Sequence, residues 1–323
     1  MIKKTFAAAL AFALLLQTLI IPMFALRAFA EDGEEPGAIA SEGVDGMLDD
    51  EAVNEAPENT SEINVTWYGC ASFRLEFGET VIWLDPYISL IPEAADYPTS
   101  PETFAEARNI ILSHGHFDHM MSVQELHRLQ ELSVYCTAAP RASLIRDGVT
   151  ENRINLVAPG DSVGIGDVTL NVYQGRHIKY DAKYIAGVAW RTFTSIRRLA
   201  NVIKMGLASR KFPEAKETII TEIIYEGKRV LFMGSAGLQE GAELPEPGAE
   251  LLIFAYQGQS DPSGVTLDIV ERLRPQAFMF AHHDNAIAPL TFRQDTARFA
   301  GLMAERFPDI RVIDPPANEI MFF

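Results

Sequence analysis

Short runs of β-branched and aromatic residues, broken by glycine, proline and asparagine, set the rhythm of the chain from residue 63 onward. Residues 63–68, 72–77 and 80–84 read as three strands, the last two joined through Gly78-Glu79, a pairing suited to a tight hairpin turn. Residues 109–112 and 133–138 are apolar runs suited to buried strands. Residues 102–108 and 120–132 read as helices, the second placing Val123, Leu126, Leu129 and Leu132 near one face. From Arg153 short strands return at 154–158, 162–165 and 168–173, followed by a hairpin of 218–225 and 228–233 through Glu226-Gly227. A buried strand at 251–255, a helix at 265–273 ended by Pro275, and a last core strand at 277–281 come next. A helix at 296–307 and strands at 309–313 and 319–323 close the chain.

Chemistry concentrates where the run at 109–112 stops, in Ser113-His114-Gly115-His116-Phe117-Asp118-His119. On an extended backbone His114 and His116 point to the same side, and Gly115 adds no bulk between them. Asp118 and His119 follow as the chain turns, adding a hard oxygen and a third nitrogen. Zinc accepts this mixed set, and iron or manganese tolerate it. Three of the chain's seven histidines fall within six positions, a density that would be costly to bury without a cation to satisfy it. His127, alone on an amphipathic helix, reads as a solvated or helix-capping residue. Other chemistries lack their signatures. Gly164-Ile165-Gly166 has no helix after it and reads as a turn, and Ser113, Ser195 and Ser263 sit in no nucleophile elbow.

Composition shortens the folded part. Lys3 and Lys4 precede an apolar segment at 5–26, and Ala28 and Ala30 stand before Glu31 as small residues at a cleavage point. Residues 1–30 therefore read as a secretory signal peptide or, uncut, as a membrane anchor, and either places the protein outside the cytoplasm. Residues 31–62 carry twelve acidic side chains and no lysine or arginine, and read as a disordered linker. Of the net charge of −17, the linker holds −12 and the leader +3, which leaves −8 for the domain expected over 63–323. That balance argues against a nucleic-acid partner. Cys70 and Cys136 are the only cysteines; Cys136 lies in an apolar run and reads as a small buried hydrophobe, so no disulfide is expected.

The signature His-x-His-x-Asp-His after a short strand resembles that of the metallo-β-lactamase superfamily, metal-dependent hydrolases of α/β class whose fold is a four-layer αββα sandwich. Trp67-Tyr68-Gly69-Cys70-Ala71-Ser72-Phe73, with Leu84-Asp85-Pro86, is similar to the opening of the branch that includes the ascorbate-6-phosphate lactonase-like and N-acyl phosphatidylethanolamine phospholipase D-like enzymes. There a histidine often stands in the place of Cys70. The resemblance implies that His177 joins His114 and His116 around one metal ion, while Asp118, His119 and His282 hold a second. It assigns the ligand of the pair His282-His283 to His282, in agreement with neighbouring residues of an extended chain facing opposite ways. Many relatives carry an aspartate bridging two ions where this chain has Ser235; a hydroxyl offsets less charge, which weakens the second position. The implied activity is hydrolysis of a phosphodiester, lactone or other ester by a metal-activated hydroxide, with Asp118 orienting the nucleophile or taking its proton, and Zn²⁺, Mn²⁺ or Fe²⁺ as cofactor.

One segment stands apart. Residues 179–216 hold nine basic side chains against two acidic ones, a net of +7 inside an acidic domain. Trp190, Phe193, Ile196, Leu199, Val202, Ile203 and Leu207 recur among them at helical spacing, which predicts a basic amphipathic helix. A solvated cationic face is one reading. A cover that recognises a small-molecule or lipid-like anionic substrate, or docks on a membrane surface, is the other. A protein of a different class fits the same residues: a surface-attached binder whose hydrolytic site has decayed at Ser235 and whose working face is the basic segment.

Overall fold

The computed structural model describes residues 62–212 and 217–323. The leader, nearly all of the acidic stretch and the end of the basic segment fall outside the described residues. In chain order, the first sheet takes β1 (Ile63–Trp67), β2 (Phe73–Phe77), β3 (Thr80–Leu84), β4 (Asn109–Ile111), β5 (Ser133–Cys136) and β6 (Ile154–Leu156). The second takes β7 (Ser162–Ile165), β8 (Val168–Arg176), β9 (Ile219–Tyr225), β10 (Lys228–Met233), β11 (Gly237–Leu238), β12 (Leu251–Ala255), β13 (Ala277–Ala281) and β14 (Arg311–Ile313), and β15 (Ile320–Phe322) returns to the first beside β1. Each sheet begins antiparallel and becomes parallel, from β3 across to β6 and from β10 across to β14.

The period of two along the central strands explains how the layers adhere. Leu251 and Ile253 of β12, with Ala277 and Met279 of β13, face the first sheet and pack with Val65, Trp67, Phe73 and Leu75. The alternate residues Leu252, Phe254, Phe278 and Phe280 face the other way, onto Ile269, Leu273, Phe299 and Met303. These last four belong to the helices Ser263–Leu273 and Thr296–Arg306. Both faces of β12 and β13 are thus covered, which is why every residue in them is apolar and buried. Each large side chain so buried contributes about 1.5–3 kcal/mol. The architecture is the αββα sandwich.

The helices differ from their sequence reading in ways the packing explains. Residues 102–108 make only a 3-10 turn, Pro101–Phe104, whose Phe104 ring drops onto Trp83 of β3 at 4.9 Å between centroids. The helix expected at 120–132 is two: α1 (Phe117–Met120) and α2 (Val123–Leu129), separated where the Ser122 hydroxyl accepts the Ile88 N–H at 2.6 Å. An unforeseen α3 (Ala138–Arg146) follows β5. The basic segment also holds two helices, α4 (Ala182–Phe193) and α5 (Ile196–Ser209). The break follows from Thr194, whose hydroxyl donates to the Arg191 carbonyl at 2.7 Å and competes with helix continuation. Among the described residues no helix is long and apolar enough to cross a membrane.

Candidate metal centre

Strands from both sheets stop at one edge of the sandwich, and the histidine-rich residues lie just past those ends. Asp85 follows β3, Ser113 and His114 follow β4, His177 follows β8, Gly234 and Ser235 follow β10, and His282 follows β13. Ligands in α/β sheets gather at the carboxyl ends of parallel strands for this topological reason. The two sheets are tied together there, since the Ile219 N–H donates to the Ser113 carbonyl at 2.9 Å.

Three sets of side chains come within ligating reach of one another. Ligand atoms of His114, His116 and His177 lie within 4.8 Å of one another, as do those of Cys70, Asp118 and His282, and those of Asp85, His114 and His119. Ring centroids are 4.8 Å apart for His114 and His116, 4.5 Å for His116 and His177, and 5.2 Å for His114 and His177. The Asp118 Oδ2 is 3.0 Å from His282 Nε2 and 3.5 Å from His119 Nε2.

Hydrogen bonds at the far ring nitrogens fix how these imidazoles present themselves. The Asp85 carboxylate, wholly buried, accepts the Ser113 N–H at 2.7 Å, the Ser113 hydroxyl, and His119 Nδ1–H at 2.7 Å. Because the Ser113 hydroxyl donates to Asp85, its oxygen accepts His114 Nδ1–H at 2.9 Å. His177 Nδ1–H donates to the Ile178 carbonyl at 2.9 Å. In all three rings the proton sits on Nδ1, so Nε2 carries the lone pair. His114 Nε2 is buried without a hydrogen-bond partner, an omission that ordinarily costs about 1–3 kcal/mol. Burial and the neighbouring His119, His116 and His177 hold the His114 pKa well below its ordinary value, and burial lowers that of His177 to about 4. Neutral imidazoles with bare, converging lone pairs are what a divalent cation requires. The residues present fit such an ion.

The remaining groups shape this cluster. Burial works against the Asp118 carboxylate, but His119 and His282 beside it outweigh that and hold its pKa far below the usual carboxylate range. The Ser235 hydroxyl accepts the Ile178 N–H at 3.1 Å and so steadies the backbone next to His177. Gly234 is required by close approach: a Cβ there would lie 2.1 Å from Ser113 Oγ and 2.6 Å from Asp85 Oδ2. His283 points away from the cluster, stacks on Trp67 at 4.8 Å and sets Nε2 2.9 Å from Asp314 Oδ1. His127 is elsewhere, with Nε2 accepting the Thr150 N–H at 3.2 Å. Cys136 is buried in β5, and Cys70, at a φ of 51° in the turn between β1 and β2, lies beside His282. The sequence reading gave no role to Asp85; its only signal was a carboxylate ending a strand next to the one that carries the histidines.

The basic helices border the site. Tyr180 lies 5.6 Å from the His177 ring and 5.7 Å, stacked, from Tyr184 of α4. The Tyr184 hydroxyl donates to the Leu290 carbonyl at 2.8 Å, and Arg191 sits 4.1 Å over the Phe292 ring. From α5 the Lys204 ammonium donates to the Leu90 carbonyl at 2.7 Å.

The profile of the beta-lactamase superfamily domain matches residues 80–200. A metal-dependent hydrolase of Roseobacter denitrificans is 28% identical over 116 residues, 36% of this chain and 49% of that protein. One of Ruegeria pomeroyi is 36% identical over 77 residues, 22% and 31% of the respective chains. The chain thus spans about half or less of the length of the curated relatives it matches. Among solved structures, a metallo hydrolase of Ignicoccus hospitalis superposes with a TM-score of 0.53 at 14% identity, over 81% of this chain and 98% of that one. The metallo-beta-lactamase fold protein YhfI of Bacillus subtilis superposes at 0.55 and 12% identity, over 82% and 100%.

Proposed function

From the superfamily profile matched over residues 80–200 and the shared αββα fold, we propose that the chain is a metallo-β-lactamase-superfamily, metal-dependent hydrolase acting on an anionic phosphodiester, lactone or other ester. The observation that carries this reading is the buried, partnerless Nε2 of His114 within ligating distance of His116 and His177. His114, His116 and His177 would hold one divalent cation, and Asp118, His119 and His282 a second. When bound, such an ion acidifies water toward neutrality and polarises the oxygen of the attacked bond. The chain's own part is positional. Asp118, kept ionised by its histidine neighbours, would orient the nucleophilic water or take its proton. The tautomers set by Asp85, Ser113 and the Ile178 carbonyl keep three lone pairs directed inward. Tyr180 and Tyr184 screen one side of the site from bulk water.

Hydrolysis of bis-p-nitrophenyl phosphate or a simple lactone by the purified chain is expected to stop on chelation and to return with Zn²⁺, Mn²⁺ or Fe²⁺. Turnover indifferent to chelation contradicts the reading, and a chain with neither metal nor turnover is the decayed binder instead.

The outward faces of α4 and α5 bear on the substrate class. Trp190 and Ile196 are 75% and 88% exposed, and Ile203 and Leu207 are exposed beside Arg197, Arg198 and Arg210. Large apolar side chains ringed by cations suit the surface of an anionic bilayer, with indole and aliphatic groups entering the headgroup region. A lipid-like substrate would then reach the site without leaving the membrane surface. Neutralising Arg197, Arg198 and Arg210 removes about 1 kcal/mol apiece. Binding to phosphatidylserine vesicles in a flotation assay at low salt is therefore expected to weaken on the order of 10²-fold. Equal flotation of variant and native chain removes the membrane partner from the account.

A further inference from the structure

The reading of the cluster as a metal centre leaves two oddities, Ser235 where a bridging carboxylate is expected and Cys70 where no sulfur is expected. The Ser235 hydroxyl bonds the backbone next to His177 and Cys70 lies beside His282, and we propose that the second answers the first: Cys70 is a thiolate ligand of the second metal position, alongside Asp118, His119 and His282.

The geometry argues for it. Cys70 Sγ is 3.7 Å from His282 Nε2 and 3.8 Å from its Nδ1, so the sulfur lies beside the ring, and His282 Nε2 is 3.0 Å from Asp118 Oδ2. In a tetrahedral zinc site with Zn–S of about 2.3 Å and Zn–N of about 2.0–2.1 Å, sulfur and nitrogen stand roughly 3.5 Å apart. The ligand atoms of Cys70, Asp118 and His282 lie within 4.8 Å of one another, so that a turn of the Cys70 or His282 side chain brings sulfur to that distance on the Nε2 side of the ring.

The backbone is arranged to keep that spacing. Cys70 and His282 both occupy the left-handed region, at φ of 51° each, a conformation costly for side chains with a Cβ and found where surrounding structure imposes it. Two bonds impose it here. The His282 N–H donates to the Cys70 carbonyl at 2.7 Å, and the buried Asp284 carboxylate accepts the Cys70 N–H, at 3.1 Å to Oδ2. The Cys70 carbonyl also accepts from the Trp67 indole at 3.0 Å. A turn whose carbonyl is held by His282 and whose N–H is held by Asp284 is more than packing a small apolar side chain would need.

The charge balance completes the argument. With Ser235 neutral, Asp118 is the one anionic group among the ligands of the second position, too little for a divalent cation held close to another. A thiolate restores a second negative charge. Coordination replaces the S–H bond by a metal–sulfur bond and releases the proton to solvent. Sulfur also narrows the choice of ion, favouring zinc over magnesium, calcium or manganese at this position.

Loading the purified chain with Co²⁺ tests this without reference to turnover. The native chain is expected to bind two equivalents and to show a thiolate-to-cobalt charge-transfer band in the near ultraviolet. Cys70→Ser is expected to lose the band and one equivalent, while Cys136→Ser keeps both. X-ray absorption of the zinc-loaded native chain, which needs no variant to fold, is expected to show one sulfur at about 2.3 Å. Two equivalents bound without band or sulfur shell overturn the proposal and leave the hydrolase reading standing. A band unchanged in Cys70→Ser also overturns it. A native chain that takes up no metal overturns both.

Discussion

A His177→Ala variant is expected to fold like the native chain yet hold its first divalent cation on the order of 10²–10³-fold more weakly, with turnover falling to background at limiting metal. Zinc sites built by several protein ligands bind with roughly 10–16 kcal/mol, so one ligand of three or four accounts for about 3–5 kcal/mol. The fold is expected to survive because His177 lies past the end of β8 and takes no part in the cores between or outside the sheets. Competition with a chromophoric chelator measures the affinity, and circular dichroism checks the fold. Unchanged affinity would remove His177 from the site and with it the third ligand assigned to the first ion.

The second large effect is expected at Asp85, which is not among the ligands assigned to either ion yet accepts from three donors. Asp85→Ala leaves the Ser113 N–H, the Ser113 hydroxyl and His119 Nδ1–H without their acceptor, at about 1–3 kcal/mol for each buried group that finds no other. Asp85→Asn is the sharper variant. Its amide retains one acceptor but turns an N–H₂ toward groups that are themselves donors, which drives the His119 proton to Nε2, the atom facing Asp118. Metal affinity is expected to fall about 10–100-fold, the usual cost of losing a carboxylate behind a histidine ligand. Chemical denaturation and metal titration of both variants check this. A fully stable Asp85→Asn with native affinity would show that the tautomers are fixed some other way.

These two residues mark how much of the site could be read in the chain. His114, His116, Asp118 and His119 announce themselves because they are contiguous and end an apolar run. His177 and His282 were reached only by resemblance, since nothing local distinguishes a histidine after one strand from a histidine after another. The structure brings His282 to the cluster at the end of β13, in the parallel half of the second sheet, and His177 at the end of β8, in its antiparallel half, while His283 turns toward Trp67. Asp85 was legible only as the close of a strand. Its role depends on the parallel register of β3 and β4, which pairs Leu84 with Ile111 and so sets Asp85 beside Ser113. Pairing of this kind is long-range, and no local pattern encodes it. The strands were clear because a sheet buried on one or both faces writes its period into the sequence. Helix ends were less so. The breaks at Ser122 and Thr194 depend on single hydroxyls that bond the backbone instead of solvent, and apolar spacing runs through such breaks without a mark.

Diffraction from crystals of the zinc-loaded chain, recorded on both sides of the zinc absorption edge, tests the central claim most directly. The account predicts an anomalous peak at bonding distance from Nε2 of His114, His116 and His177, about 2.0–2.1 Å from each. Zinc bound elsewhere, with these three nitrogens free of it, would contradict the account.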